Sequence, residues 1–145
     1  MIKKLPSCKN FTGYKPCFPG HNCITDGCKE ENPHGIQILI INFDAMGDVL
    51  MTTAQLPAIK RKFPKSTIFW ITLKSALPLL QNNPYLYKVF GYDFESFSIL
   101  SQIKFDYIYN VDKSQRSCAL INSLYSIHKL GFGLSDEGKI FPLNT

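Results

Sequence analysis

Apolar positions in this chain fall into short dense runs separated by mixed segments, and their period changes from one run to the next. Ile38-Leu-Ile-Ile41 is an unbroken aliphatic run, the pattern of a parallel strand covered on both faces. Over residues 48–63 the apolar positions spread to a helical period with Pro57 inside the span. A proline there removes the hydrogen bond to Thr53 and predicts a bent or split helix. Thr67-Ile-Phe-Trp-Ile-Thr72 is dense in β-branched and aromatic residues and predicts a second strand. A short helix over residues 75–80 closes in Gln81-Asn-Asn-Pro84, a loop signal. Residues 87–92 predict a third strand, and 95–103 a helix. Phe105-Asp-Tyr-Ile-Tyr-Asn-Val111 predicts a fourth strand. Asp112, with Gln115 three positions on, reads as the cap of the next helix. One face of that helix carries Cys118, Ile121, Leu124 and Tyr125, where Cys118 is most simply a small buried apolar residue. Residues 129–132 predict a fifth, short strand. Five strands separated by helical crossovers predict an α/β fold with a doubly wound parallel sheet.

Composition supports one folded domain. The 145 residues are 45% hydrophobic and 19% charged, a globular balance long enough for one real core and too short for two full ones. No apolar run approaches the roughly 18 residues that span a bilayer. The first six residues already contain Lys3, Lys4 and Pro6, which excludes a signal-peptide core there and predicts a cytoplasmic location. The net charge of +5 is spread out, apart from Lys60-Arg61-Lys62 and Lys65. That cluster fits a solvated helix end or an anionic partner. No basic stripe with interleaved aromatics is present, so nucleic acid is not a predicted partner.

Residues 1–35 differ from the rest. They are rich in Pro and Gly, lack an amphipathic period, and hold Cys8, Cys17, Cys23 and Cys28 of the five cysteines. Such a leader buries too little apolar surface to order itself unless something staples it. Disulfides do not suit a reducing compartment. Four thiolates can hold a structural zinc ion or an iron–sulfur cluster, and His21 could replace one of them. Four protein ligands would leave no open position for a substrate water, so such a metal would be structural. The alternative is four ordinary thiols in a loose tail. Asn10-Phe11-Thr12 matches a glycosylation sequon, but without a secretory signal no glycan is predicted there.

The candidate chemistry sits after the first strand. In Asn42-Phe-Asp-Ala-Met-Gly47-Asp48, Gly47 lets the backbone turn tightly and approach a ligand. Asp48 then falls where a helix begins, outside the carboxyl end of a strand, which is where open α/β sheets hold their ligands. Asp48 reads equally as a helix cap. No G-x-G-x-x-G follows the first strand, Gly131-Phe-Gly133 lacks a third glycine, and no phosphate loop, nucleophile elbow or H-E-x-x-H occurs. Asp93-Phe94-Glu95 reads as acids at a helix start more readily than as a metal-binding pair. A receiver-like reading of Asp44, Asp48 and Asp112 fits poorly, because that phosphoacceptor belongs after a third strand.

The stretch Ile38-Leu-Ile-Ile-Asn-Phe-Asp-Ala-Met-Gly-Asp-Val-Leu-Met-Thr-Thr53 resembles the opening signature of glycosyltransferase family 9, the heptosyltransferase family. The likeness continues in order through Phe63-Pro64, Trp70, Pro78, Asn83-Pro84, Phe105-Asp106, Asn110-Val-Asp112, Arg116-Ser117 and Lys129-Leu-Gly131-Phe132. The leader is similar to Cys-rich segments of some members, C-x-x-F-x-G-x-x-P-C, here Cys8 to Cys17.

The resemblance implies a Rossmann-like acceptor-side domain over residues 36–145, the N-terminal half of a GT-B glycosyltransferase, behind a leader over 1–35. It implies inverting transfer of a sugar from a nucleotide-sugar donor, ADP-heptose-like, to lipopolysaccharide core or a related glycan. No catalytic metal is expected. Asp48 would be the general base, with Met46 and Gly47 near the donor sugar. Thr52 and Thr53 would bond sugar or phosphate, or else only line the helix. Partners are the donor and a glycan or lipid-linked acceptor, with peripheral contact at the inner membrane face left open. A C-terminal donor-binding domain or partner half is expected to be missing from these 145 residues, which leaves the chain inactive alone. Asn42 stands where many members carry Lys or Arg. A non-catalytic, metal-stabilised binding or assembly module is the alternative.

Overall fold

A computed structural model of the chain describes Lys9, residues 34–43 and residues 52–144. The chain divides into two units, Met1–Gly35 and Ile36–Thr145. The second unit is built on a sheet of six strands: β1 Ile36–Ile41, β2 Ser66–Thr72, β3 Lys88–Gly91, β4 Phe105–Asn110, β5 Ser126–Leu134 and β6 Ile140–Pro142. Their order is β3-β2-β1-β4-β5-β6. β1 to β5 run parallel, whereas β6 turns back antiparallel on β5. The α/β doubly wound class is therefore correct.

The helices that lie wholly among the described residues are α1 Leu56–Lys62, α2 Leu77–Leu80 preceded by a 3-10 turn at Lys74–Ala76, α3 Phe94–Leu100 and α4 Gln115–Ser123. The chain steps outward from β1 to β3, then jumps back across β1 to start β4. Right-handed crossovers in opposite directions put helices on opposite faces. On one face Ile40, Ile68 and Trp70 pack with Leu56, Ala76 and Leu80. On the other, Leu39, Ile41, Ile71 and Ile108 pack with Leu100, Leu120 and Ile121. The β2 strand is buried along its whole length, as its apolar run requires.

Several elements differ from expectation. Within the described part of the 48–63 helix, Thr52 and Thr53 are helical, Ala54 and Gln55 form a turn, and α1 starts at Leu56. Pro57 thus sits in a first turn, where its missing N–H costs no intrahelical bond. Asp112 does not cap α4. The cap is Ser114, whose hydroxyl accepts from Ser117 N at 3.2 Å, because α4 starts at Gln115, and the Asp112 carboxylate instead accepts from the Ser114 hydroxyl. Tyr125 lies beyond α4 and is 52% exposed, while Cys118, Ile121 and Leu124 are buried as expected. The fifth strand is longer than 129–132, and β6 has no counterpart in the sequence pattern. Among the described residues no helix is long and apolar enough to cross a membrane.

Candidate functional site

The strand order reverses between β1 and β4, so the crevice above their carboxyl ends is where this topology holds ligands. Two segments enter it. After β1 come Asn42 and Phe43, with Asn42 N bonded to Ile71 O at 3.1 Å. After β4 come Val111 and Asp112, with Val111 N bonded to Ile41 O at 3.2 Å. The two strand ends are thus tied side by side.

Asn42 is fully buried, and its Nδ2 donates to the Thr52 hydroxyl at 2.9 Å. These residues flank the stretch that carries the Gly-Asp signature, and one bond joins the two sides of it. Thr53 continues the same helical turn. The neighbouring strand end contributes Thr72, whose buried hydroxyl has no hydrogen-bond partner among the described residues. Met46, Gly47 and Asp48 lie outside the described residues, as do Cys8, Cys17, Cys23, Cys28 and His21.

On the β4 side, Asn110 is the joint. Its fully buried side chain donates to Phe132 O at 2.8 Å and accepts from Asp112 N at 3.0 Å. Ser117 Oγ donates to the Asp112 carbonyl at 3.3 Å, and Asp112 Oδ2 accepts from Ser114 Oγ at 2.5 Å. These bonds fix where α4 begins. β5 must approach closely to reach Asn110, and Gly131 permits it: φ is +100°, and a Cβ would lie 2.0 Å from the Asn110 carbonyl oxygen.

The rim carries positive charge. Arg116, in the first turn of α4, places its guanidinium carbon 5.6 Å from the Phe43 ring centroid. That ring meets Tyr92 edge-on at 4.7 Å. Lys113 stands 4.9 Å over the Phe132 ring. An exposed cation over an aromatic face is held in place by the ring quadrupole while its N–H groups stay open to an anion. In the sequence Arg116 is only a landmark of the family likeness. Its nearness to Phe43, next to Asn42, is a tertiary fact. The useful signal was its position just after the strand beside β1.

The remaining candidates have structural jobs. Asp93 caps α3, its carboxylate accepting from Ser96 N at 2.7 Å. That bond, assisted by Lys74 at 3.3 Å, holds its pKa below the ordinary carboxylate value. Cys118 is buried beside Asn110 Nδ2 at 3.6 Å, and burial pushes its thiol pKa up, the opposite of what a reactive cysteine needs. Among the described residues no three His, Cys, Asp or Glu side chains converge to hold a metal.

No protein-family model and no curated protein matches the chain. Solved structures do. E. coli heptosyltransferase WaaC with ADP aligns at TM-score 0.59 and 16% identity, over 66% of this chain and 35% of that one. WaaC with ADP-2-deoxy-2-fluoro heptose aligns at 0.57 and 15%, over 66% and 36%. The family 9 glycosyl transferase from Veillonella parvula DSM 2008 aligns at 0.60 and 20%, over 68% and 32%. The chain has the Rossmann-like fold of part of these GT-B glycosyltransferases and spans about a third of their length.

Proposed function

We propose that this chain is the acceptor-side half of an inverting glycosyltransferase of the heptosyltransferase family. In this reading it passes a sugar from a nucleotide-sugar donor, ADP-heptose-like, to lipopolysaccharide core or a related glycan, at the cytoplasmic side of the membrane. The observation that carries it is the crevice at the strand-order reversal, where the ends of the Gly-Asp loop are anchored by Asn42 and Thr52 in a fold shared with WaaC.

Asp48 is the general base. It takes the proton from the acceptor hydroxyl as that oxygen attacks the anomeric carbon and the nucleotide diphosphate departs. The sequence pattern predicts Asp48 at the start of a helix, a position that would favour its ionised form and make it a weak base. Proton transfer therefore comes late, once the attack has acidified the hydroxyl. Met46 and Gly47 border the donor sugar, and Thr52 and Thr53 line the approach. Arg116 supplies at the rim the positive charge that Asn42 does not, and meets an anionic group of acceptor or donor. Donor binding and water exclusion fall to a second domain or partner half. The leader cysteines Cys8, Cys17, Cys23 and Cys28 hold one structural zinc ion or iron–sulfur cluster.

The test joins this chain to a donor-binding domain of the GT-B type and follows sugar transfer. Asp48→Asn abolishes turnover and leaves donor binding nearly intact; retained turnover would overturn the base assignment. Arg116→Ala raises the KM for an anionic acceptor about tenfold, the loss of one charge-assisted contact. Absence of transfer from any nucleotide sugar in the joined protein would sink the reading itself.

A further inference from the structure

A cavity of about 320 Å³ lies between α1 and the β1–β4 half of the sheet, within the roughly 300–1,000 Å³ of small-molecule sites. Ile40, Ala58, Ile59, Val111 and the rings of Phe63 and Tyr109 wall it. Among the described residues the polar side chains that line it are Thr52 and Gln55 near the start of the α1 segment, Lys62 at its finish, and the Tyr109 phenol on β4. The wall is braced by ring contacts, Phe63 to Tyr107 at 5.2 Å and Tyr107 to Tyr109 at 6.4 Å.

The polar ends are unequal. The last turn of α1 is Lys60-Arg61-Lys62. Lys60 is engaged by the Ser66 carbonyl, whereas the Lys62 ammonium lies 5.4 Å from the centroid of Phe63, the ring that borders the cavity. A free sugar or nucleotide would need hydrogen-bonding groups along the walls, and these walls are hydrocarbon and aromatic. An apolar chain ending in an anion matches both the walls and the charge.

We propose that this cavity binds the alkyl chain of a phosphate-bearing membrane lipid, with the phosphate at Lys62. The site adjoins the crevice between β1 and β4, sharing Thr52 and Val111 with its edge, and it does not depend on sugar transfer. A lipid held there would tether the domain to an anionic bilayer through α1.

The experiment titrates the full chain with hexyl, octyl and decyl phosphate, each below its micelle concentration, and with inorganic phosphate. Kd is expected to tighten about fourfold per methylene and then level off when the chain outgrows the cavity. Ala58→Phe, at an exposed helix position, fills the space and removes the chain-length dependence. Val111→Phe does the same from the sheet side, should the first variant fold poorly by circular dichroism. Lys62→Gln weakens every alkyl phosphate by a similar factor and leaves the chain-length slope intact. Affinity independent of chain length, or a slope that survives in both filled variants, would overturn the proposal. Both readouts are binding alone, so they stand whether or not the transferase reading does.

Discussion

The Asn42 amide donates to the Thr52 hydroxyl at 2.9 Å, from a fully buried position, and so closes the loop that separates them. Thr52→Val keeps the shape and deletes the acceptor. A buried amide deprived of one partner costs about 1–3 kcal/mol. The expected result is a fall of that size in unfolding free energy by urea titration, with the slope of the transition unchanged. A shift under a few tenths of a kcal/mol would mean that the loop ends are held by other contacts.

Gly131 and Gly138 both have positive φ, at +100° and +78°, but their surroundings are opposite. A Cβ on Gly131 would meet the Asn110 carbonyl at 2.0 Å, and backbone cannot step aside; around Gly138 nothing lies within 4 Å. Gly138→Ala should therefore cost only the conformational penalty, about 1–2 kcal/mol. Gly131→Ala should exceed about 4 kcal/mol or prevent folding. Thermal unfolding of the pair checks both, and equal effects would contradict the close approach of β5 to β4.

Acid stability should depend on Asp93. Its pKa in the folded chain is lowered, first by the bond from Ser96 N and then by its Lys74 neighbour. A depressed carboxylate pKa gives stability that is fully present above the unfolded value, about 3.9. That stability is lost as pH falls through the lower folded value. Asp93→Asn, measured by denaturation at about pH 7 and about pH 3, should be destabilised at the higher pH. The gap to the parent should narrow at the lower. A gap that widens on acidification would reverse the assignment.

The cysteines should sort into two classes. Cys118 is buried with a raised thiol pKa, so alkylation of the native protein, read by peptide mass spectrometry, should spare it until denaturant is added. If Cys8, Cys17, Cys23 and Cys28 hold one metal, elemental analysis of anaerobically purified protein gives about one zinc, or iron with sulfide, per chain. Cys17→Ser should then lower the content sharply. Protein free of both metals would remove the structural-metal assignment.

The first four strands of this fold were readable because their apolar runs are dense, from Ile38–Ile41 through Phe105–Val111. What sequence could not supply was adjacency. Nothing local distinguishes Asp112 from Ser114 as a cap. Asp112 loses that role because α4 starts only at Gln115 and the Asp112 carboxylate accepts from the Ser114 hydroxyl instead. Ile140-Phe-Pro142 is short and exposed throughout, and it becomes a strand only because Gly138 turns the chain back onto β5. The candidate site divides the same way. The loop with Asp48 stands out as strand, glycine, acid and helix, but Arg116 joins it only because β4 was placed beside β1.

The small strand β6 also decides what the sheet can do to other molecules. A parallel sheet that stopped at β5 would offer nine residues of open backbone to any extended peptide, including another copy of itself. Along Phe132–Leu134 the border is instead a three-residue antiparallel strand ending in Pro142, a residue with no N–H to donate. Strand addition is thereby blocked along that end of β5.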